Sequence, residues 1–228
     1  MDTQISVRIS RKAVEATDIV SLELAPLESA SLPPFSAGSH IDVEVSPGLV
    51  RQYSLCNDPT DSHRYLIGVL RDPASRGGST AVHDLLQEGQ VLRISAPRNH
   101  FALVPAGRSL LFAGGIGVTP ILCMAERLAQ SGADFEMHYC ARSADRAAFV
   151  ERIRASRFAD RVHFHYDDGD ADQKLKLAEV LAGAAADTHL YVCGPGGFID
   201  FVTQGAAKLG WPQERVHFEY FAGQKVDT

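Results

Sequence analysis

The apolar run Leu110-Leu111-Phe112-Ala113, followed by Gly114-Gly115-Ile116-Gly117-Val118-Thr119-Pro120, constrains the fold of this chain more than any other segment. Beyond it, Ile121, Met124, Ala125 and Leu128 recur at helical spacing. The segment therefore reads as strand, glycine turn, helix. Such a turn aims backbone N–H groups and a helix N-terminus at one point, which suits an anionic group such as a pyrophosphate. Gly115 and Gly117 carry no Cβ, so a ligand can come close to the backbone there. Pro120 fits the first helical turn, where its missing N–H costs nothing. The pattern differs from the dinucleotide fingerprint Gly-x-Gly-x-x-Gly, because Pro120 stands in the last glycine position. A plain structural turn would carry similar residues, so the rest of the chain decides its meaning.

From residue 108 onward, strands and helices alternate. The pattern predicts strand 109–113, helix 119–130, strand 134–140, helix 145–155, strand 161–166, helix 174–182, strand 188–193, helix 196–209 and strand 215–221. Gly132, Gly183 and Gly210 stand where helices should stop. Alternation of this kind predicts a parallel sheet covered by helices on both faces, with ligands beyond the C-terminal strand ends. Three marked stretches fall at such ends: the glycine turn, Cys140-Ala141-Arg142-Ser143, and Cys193-Gly194-Pro195-Gly196-Gly197.

Residues 1–104 have a different rhythm. Ile5, Val7 and Ile9 alternate with polar residues, as do Val20, Leu22 and Leu24. Ile41, Val43 and Val45 run into the turn Ser46-Pro47-Gly48, and apolar stretches follow at Tyr65–Leu70 and Val91–Ile94. One short helix is predicted near Thr80–Gln87, stopped by Gly89. Many short strands with turn signals predict a closed β-barrel. With 228 residues and 45% hydrophobic content, the chain can bury two cores. The expected fold is thus a β-barrel domain over 1–104 and an α/β parallel-sheet domain over 108–228, joined near Pro105-Ala106-Gly107.

The barrel half carries a candidate site of its own. In Arg51-Gln52-Tyr53-Ser54, the strand period places Arg51 and Tyr53 on one side. A cation beside an aromatic ring can hold a flat aromatic ligand that bears a phosphate, and Ser54 adds a hydroxyl. Ser75-Arg76-Gly77-Gly78-Ser79-Thr80 then offers backbone N–H groups and a guanidinium for the phosphate. Taken singly, Arg51 also reads as a surface charge, Tyr53 as a core ring and residues 75–80 as a loop.

Together these segments occur in the order found in the ferredoxin–NAD(P)H reductase superfamily: Arg-x-Tyr-Ser, Arg-Gly-Gly-Ser, Gly-Gly-Ile-Gly-Val-Thr-Pro, Cys-Gly-Pro and the closing His217-Phe218-Glu219-Tyr220-Phe221. Tyr53-Ser54-Leu55-Cys56-Asn57-Asp58 and Ala96-Pro97-Arg98-Asn99-His100-Phe101 narrow the resemblance to the phthalate dioxygenase and vanillate O-demethylase reductases, over essentially the whole chain. The resemblance implies a flavin-binding barrel, with FMN as the flavin, followed by a nucleotide-binding domain. It places Arg51, Tyr53 and Ser54 at the flavin, with Ser54 near N5. Gly68, Val69 and Leu70 would line its far side, and Arg76, Gly77, Gly78 and Ser79 would meet its phosphate. Gly115, Ile116, Gly117, Thr119 and Pro120 would meet the nicotinamide nucleotide, and Cys193, Gly194 and Pro195 would border the nicotinamide. Phe221 would shield the flavin. Arg142 and Ser143 stand at the next strand end of the nucleotide half. Ser54, Cys193 and Phe221 are the residues expected nearest the chemistry.

The implied activity is hydride transfer from NADH to bound FMN and single-electron release onward, as the reductase component of an aromatic-ring oxygenase or O-demethylase. The implied partner is a terminal oxygenase or a separate or fused ferredoxin domain. Relatives of this kind usually carry a plant-type [2Fe–2S] domain with Cys-x₄-Cys-x₂-Cys. Here Cys56, Cys123, Cys140 and Cys193 stand singly, so the expectation is that [2Fe–2S] is absent from this chain, either because the chain is shortened or because the acceptor is a separate protein. The alternatives are a stand-alone NAD(P)H:flavin reductase and a non-catalytic flavin-binding regulatory module.

The net charge of −6 argues against nucleic acid or an anionic membrane as partner. No 18-residue apolar run or basic-then-apolar leader occurs, and the cysteines are isolated, so a cytoplasmic setting is expected. His163 and His165 share a strand face, but no third ligand has metal spacing, so a structural role is expected. Asp167-Asp168-Gly169-Asp170 lacks the EF-hand pattern and follows a strand, which leaves a place near the cofactor's adenosine open. No spacing supports a hydrolytic triad.

Overall fold

The computed structural model describes residues 4–27, 29–74 and 77–221. Arg76, and the tail from Gln224 to Thr228, lie outside the described residues.

The first half is an antiparallel sheet of seven strands. They are β1 (Gln4–Ala16), β2 (Ile19–Pro26), β3 (Ser39–Ser46), β4 (Leu49–Ser54), β5 (Tyr65–Leu70), β6 (Val91–Ser95) and the short β7 (Arg98–Asn99), with helix α1 (Gly78–Asp84) between β5 and β6. The ladder runs β4-β3-β6-β1-β2-β5, and β7 pairs with β3. This path is open, which corrects the expectation of a closed barrel. Among the described residues, its ends are joined by the Leu55–Ile67 bridge and the Cys56 N–H bond to the Leu66 carbonyl, 2.9 Å. The alternating apolar residues turn inward as their period dictates: Val7, Ile9, Leu22, Leu24, Ile41, Val43 and Ile94 form one buried cluster.

The second half is a five-stranded parallel sheet in the order β10-β9-β8-β11-β12. Its elements are β8 (Arg108–Gly114), α2 (Val118–Ser131), β9 (Asp134–Ala141), α3 (Val150–Arg154), β10 (Val162–Tyr166), α4 (Leu177–Ala182), β11 (Thr188–Cys193), α5 (Gly196–Lys208) and β12 (Val216–Glu219). The chain winds outward from β8 in one direction, then returns to β11 on its other side. Strand order therefore reverses between β8 and β11, and the crevice of such a sheet opens at the C-terminal ends of that pair.

Three elements differ from expectation. The helix expected over 145–155 is a single 3₁₀ turn at Ala144–Arg146 and the short α3, because Ala147 is extended and Phe149 is left-handed at φ 61°. The helix expected over 174–182 begins only at Leu177, since Lys174 is extended and its Nζ donates to the Tyr166 carbonyl at 3.2 Å. The short helix of the first half runs two residues earlier than expected and ends at Asp84.

The two sheets share a core. Ile19, Ala37, Cys56, Leu66 and Phe101 pack in one cluster with Leu111, Met137, Tyr139, Phe149 and Tyr191. Polar ties cross the same boundary: the Val104 N–H donates to Tyr191 Oη at 2.9 Å, and Gln130 Nε2 donates to Thr60 Oγ1 at 3.1 Å. Among the described residues no helix is long and apolar enough to cross a membrane.

Candidate functional site

The crevice at the β8/β11 reversal is built from glycines because backbones meet there. A Cβ on Gly117 would lie 2.6 Å from the Gly194 nitrogen and clash with the Cys193 carbonyl. One on Gly194 would lie 2.9 Å from Gly114 Cα. The turn after β8 and the turn after β11 are thus in direct backbone contact, with the Pro195 ring against Gly114. Gly115 is left-handed at φ 51°, and space is open where its Cβ would stand. Ile116 is half-buried and accepts the Thr119 hydroxyl at 3.1 Å, and Pro120 is buried in the first turn of α2.

The antiparallel sheet reaches this crevice through β5. A Cβ on Gly68 would lie 2.9 Å from Thr119 Cγ2 and 3.1 Å from the Phe149 ring. Ser54 is buried at the end of β4, and the next residue, Leu55, bridges Ile67 beside Gly68. The serine expected at a flavin N5 and the threonine expected at a nicotinamide therefore belong to one continuous patch. Of the neighbouring residues, Leu70 packs at the shared core, whereas the Val69 side chain turns into the first sheet's interior. Burial pushes the Tyr53 hydroxyl up to about 12, so the ring is a neutral, half-buried surface.

Arg51 lies across the start of α1. A Cβ on Gly78 would stand 2.5 Å from Arg51 Nε and 2.6 Å from its Cγ, so glycine is what lets the guanidinium stem cross there. Gly77 is left-handed at φ 86°, and Ser79 Oγ accepts the Asp72 N–H at 3.1 Å. The arginine, the glycine pair and the serine singled out in sequence are adjacent, as a phosphate cradle requires.

Arg142 is exposed, and Ser143 donates to the Asp145 carboxylate. That carboxylate also accepts Thr17 Oγ1 at 2.9 Å, and the Asp145 carbonyl accepts the Thr17 N–H at 2.8 Å. The loop beyond β9 is thereby tied to the β1–β2 hairpin. Asp168 donates its N–H to the Arg142 carbonyl at 3.2 Å, which puts the acidic stretch after β10 beside this loop. His163 Nε2 is 3.1 Å from Glu136 Oε1, and His165 Nε2 is 3.0 Å from His138 Nδ1.

Cys193 is fully buried, and burial beside Glu219 pushes its thiol well above the ordinary value. It is a small neutral wall, not a thiolate. Phe221 packs at the edge of the shared core. Glu219, an ordinary strand residue by position but one the resemblance sets near the flavin, is the register partner of Cys193, and its Oε2 is buried without a partner. One functional candidate escaped the sequence reading: His40, which faces Ser54 across β3 and β4.

Burial raises the Glu219 carboxyl from 4.5 to about 7. The folded chain thus holds this proton more tightly than the unfolded chain, and stability falls as pH rises from 4.5 through 7. Glu219→Gln is expected to remove that loss, stabilising the protein at pH 8 by roughly 1–3 kcal/mol with little gain at pH 4. Urea denaturation at both pH values checks this; an equal gain at both would contradict it.

The family model for the Dimethylamine monooxygenase subunit DmmA-like N-terminal domain matches residues 95–216. The chain is 60% identical over 215 residues to a vanillate O-demethylase oxidoreductase of Pseudomonas putida, covering 94% of this chain and 67% of that protein. It is 38% identical to the phthalate dioxygenase reductase of Burkholderia cepacia, covering 100% of this chain and 70% of that one. The solved phthalate dioxygenase reductase, described as a modular structure for electron transfer from pyridine nucleotides to [2Fe–2S], superposes with a TM-score of 0.89 at 37% identity, over 95% of this chain and 68% of that chain. A flavohem-like FAD/NAD binding domain of a Vibrio cholerae nitric oxide dioxygenase superposes at 0.83 with 26% identity, over 97% of this chain and 99% of that chain. The paired sheets, the glycine-lined crevice and these likenesses place the chain in the family of vanillate O-demethylase oxidoreductases and phthalate dioxygenase reductases, with the ferredoxin reductase-like fold.

Proposed function

We propose that this protein takes a hydride from NADH onto bound FMN and releases the electrons singly to an oxygenase or ferredoxin partner. The observation that carries this reading is the meeting of Gly68 with Thr119, which joins the Ser54 end of the first sheet to the glycine turn of the second. Residues 1–104 would then form the flavin domain and 108–228 the nucleotide domain. The residues present fit a flavin phosphate: the Arg51 side chain lies against Gly78, where a Cβ would come within 2.5 Å of its Nε, at the start of α1. A flavin held there supplies a hydride acceptor that can give up electrons one at a time.

The chain's own work is positional. Arg51, Gly77, Gly78 and Ser79 hold the phosphate, with Arg76 as a further proposed contact. Tyr53 presents a neutral ring to the isoalloxazine, and Ser54 offers its hydroxyl to N5. Gly115, Ile116, Gly117 and Pro120 leave room for the nucleotide at the start of α2. Thr119, Cys193, Gly194 and Pro195 bound the nicotinamide, and Phe221 covers the flavin and excludes water. No acid–base pair is needed for the hydride itself.

Flavin released on denaturation, identified by chromatography, tests the cofactor. Near-equimolar FMN is expected; FAD, or no flavin after reconstitution, contradicts the assignment. Arg51→Ala is expected to weaken FMN binding by about 1.5–3 kcal/mol, the worth of a charge-assisted contact. Arg98→Ala should weaken it less, because the Arg98 guanidinium pairs with Asp42. Equal losses would remove Arg51 from the site.

NADH is the expected donor. Hydrogen bonds from Ser143 and Thr17 hold the Asp145 carboxyl below its ordinary value, so it stays charged beside the loop where a 2′-phosphate would lie. Arg142 offers the opposing charge, which makes the comparison informative. Hydride-transfer rates for NADH and NADPH at equal concentration should favour NADH several-fold; a faster NADPH rate reverses the assignment.

A further inference from the structure

Phe149 is one of two non-glycine residues with positive φ among the described residues, at φ 61° and ψ 15°. The other, Asp18, is of a type that tolerates this region at a turn. A bulky aromatic residue does not, and stays there only where its surroundings over-determine it. Here the chain is pinned on both sides. The Ala148 N–H donates to the buried Tyr139 Oη on β9 at 2.9 Å. The Asp145 carbonyl accepts the Thr17 N–H of the β1–β2 hairpin at 2.8 Å. That hairpin is fixed in turn to the end of β5, because the Asp18 carbonyl accepts the Arg71 N–H at 2.7 Å. Residues 145–149 of the second half are thus strapped to β5 of the first.

The Phe149 ring closes the other end of this strap. Leu66, Gly68 and Leu70 share one face of β5, and both leucines pack into the core common to the two sheets. Gly68 leaves a gap in that row. Its missing Cβ would lie 3.1 Å from Phe149 Cε2 and Cζ and 2.9 Å from Thr119 Cγ2, so the ring tip and the methyl group fill the gap together. All three residues are buried. Filling a core needs no strained backbone. Here the strained backbone brings the tip of a flat ring to one point between β5 and the start of α2.

We propose that Phe149 is a positioning residue for hydride transfer: its ring tip, wedged with Thr119 against Gly68, sets the separation between flavin and nicotinamide. The proposal rests on the flavin reading above, which puts Gly68 along the flavin and Thr119 at the nicotinamide. Phe149 acts through these two residues. Hydride transfer falls steeply with misplacement of the reacting atoms. The phosphates are held elsewhere in that reading, the flavin's at the start of α1 and the nucleotide's at the glycine turn. A change in the spacer therefore alters the rate of transfer while both cofactors still bind.

The test uses the full chain loaded with FMN and mixed with NADH by anaerobic stopped flow. Phe149→Leu keeps an apolar side chain but withdraws the ring tip. It is expected to retain FMN, its reduction by dithionite and its affinity for NADH. The limiting rate of hydride transfer should fall roughly 10–10²-fold, the cost of a misplacement approaching about 1 Å. The long-wavelength charge-transfer absorbance of stacked flavin and nicotinamide should weaken with it. Gly68→Ala puts a methyl group into the same gap and should lower the rate comparably. In the double variant the methyl group can shift off Thr119 into the space the ring has left. Its rate should recover to within about threefold of wild type, whereas independent damage would multiply the two losses. A wild-type protein that binds no flavin, or whose flavin dithionite reduces and NADH does not, overturns the flavin reading and this proposal with it. Where NADH does reduce the wild type, three results overturn the positioning role alone. They are a wild-type rate and charge-transfer band in Phe149→Leu, multiplied losses in the double variant, and loss of FMN or of the folded state in Phe149→Leu, which would make the ring a prop of the core.

Discussion

Gly117→Ala is expected to cut NADH-dependent flavin reduction by about two orders of magnitude while leaving flavin content nearly intact. The added methyl has no room, because it would lie 2.6 Å from the Gly194 nitrogen and against the Cys193 carbonyl. Both obstacles are backbone and cannot rotate away. Relief requires the turns after β8 and β11 to part, and these turns are the proposed walls of the nicotinamide pocket. A misplacement of about 1 Å at a reacting centre costs roughly 10²-fold. Overpacking should also lower stability by about 1–3 kcal/mol. Gly183→Ala is the control: its Cβ would meet nothing nearer than 3.8 Å, and its φ is −82°. Transient kinetics on the two variants, with flavin content measured in parallel, checks this. Equal rates would mean that the crevice does not hold the nicotinamide.

Acid is expected to destabilise the protein strongly from pH 6.5 downward, with His138 the main cause. This ring is 3% exposed and stacks against Phe112, with centroids 5.2 Å apart. His163 and His165 stack against it as well. Nearby Glu136 is engaged by Arg108 at 2.6 Å and His163 at 3.1 Å. Burial, reinforced by the neighbouring histidines, lowers His138 from 6.5 to about 3. The unfolded chain therefore binds this proton at a pH where the folded chain does not, so stability is complete above 6.5 and is lost as pH falls toward 3. At the limit the loss is roughly 4–5 kcal/mol, a large share of a typical ~5–15 kcal/mol. His138→Phe keeps the stack and should flatten the dependence between pH 6.5 and 4, as read from urea midpoints. An unchanged slope would assign the acid sensitivity elsewhere.

The strands and the glycine turn were legible because local pattern and tertiary role agree there. Ile121, Met124, Ala125 and Leu128 are all buried, so the helical stripe of α2 is also its packing face. The reading failed where distant contacts outweigh helical preference. At 145–149, the Ala148 N–H is taken by Tyr139 Oη at 2.9 Å, and Phe149 turns left-handed to pack beside Gly68. Those contacts interrupt a segment whose residues would otherwise favour helix. Barrel closure was equally beyond local pattern, since it depends on how many bonds β4 and β5 form across a gap in sequence.

Within the site, Arg51, Tyr53, Ser54 and the residues of 115–120 announced themselves through motif and spacing. Glu219 showed itself only through the closing motif and His40 not at all, because their neighbours are set by register. Only the pairing of β12 with β11 sets Glu219 beside Cys193, and only the pairing of β3 with β4 sets His40 beside Ser54. Asp145 was legible as a charge, but not its ties to Thr17, which lies 128 residues away.

The central claim is that this fold brings NADH and a bound flavin together for hydride transfer. Mixing the FMN-loaded protein with one equivalent of NADH in the absence of oxygen tests it most directly. The account predicts rapid bleaching of the flavin absorbance with matching loss of NADH, and recovery of the colour when ferricyanide is added. A flavin spectrum that stays unchanged with NADH, in protein whose flavin dithionite still reduces, would contradict it.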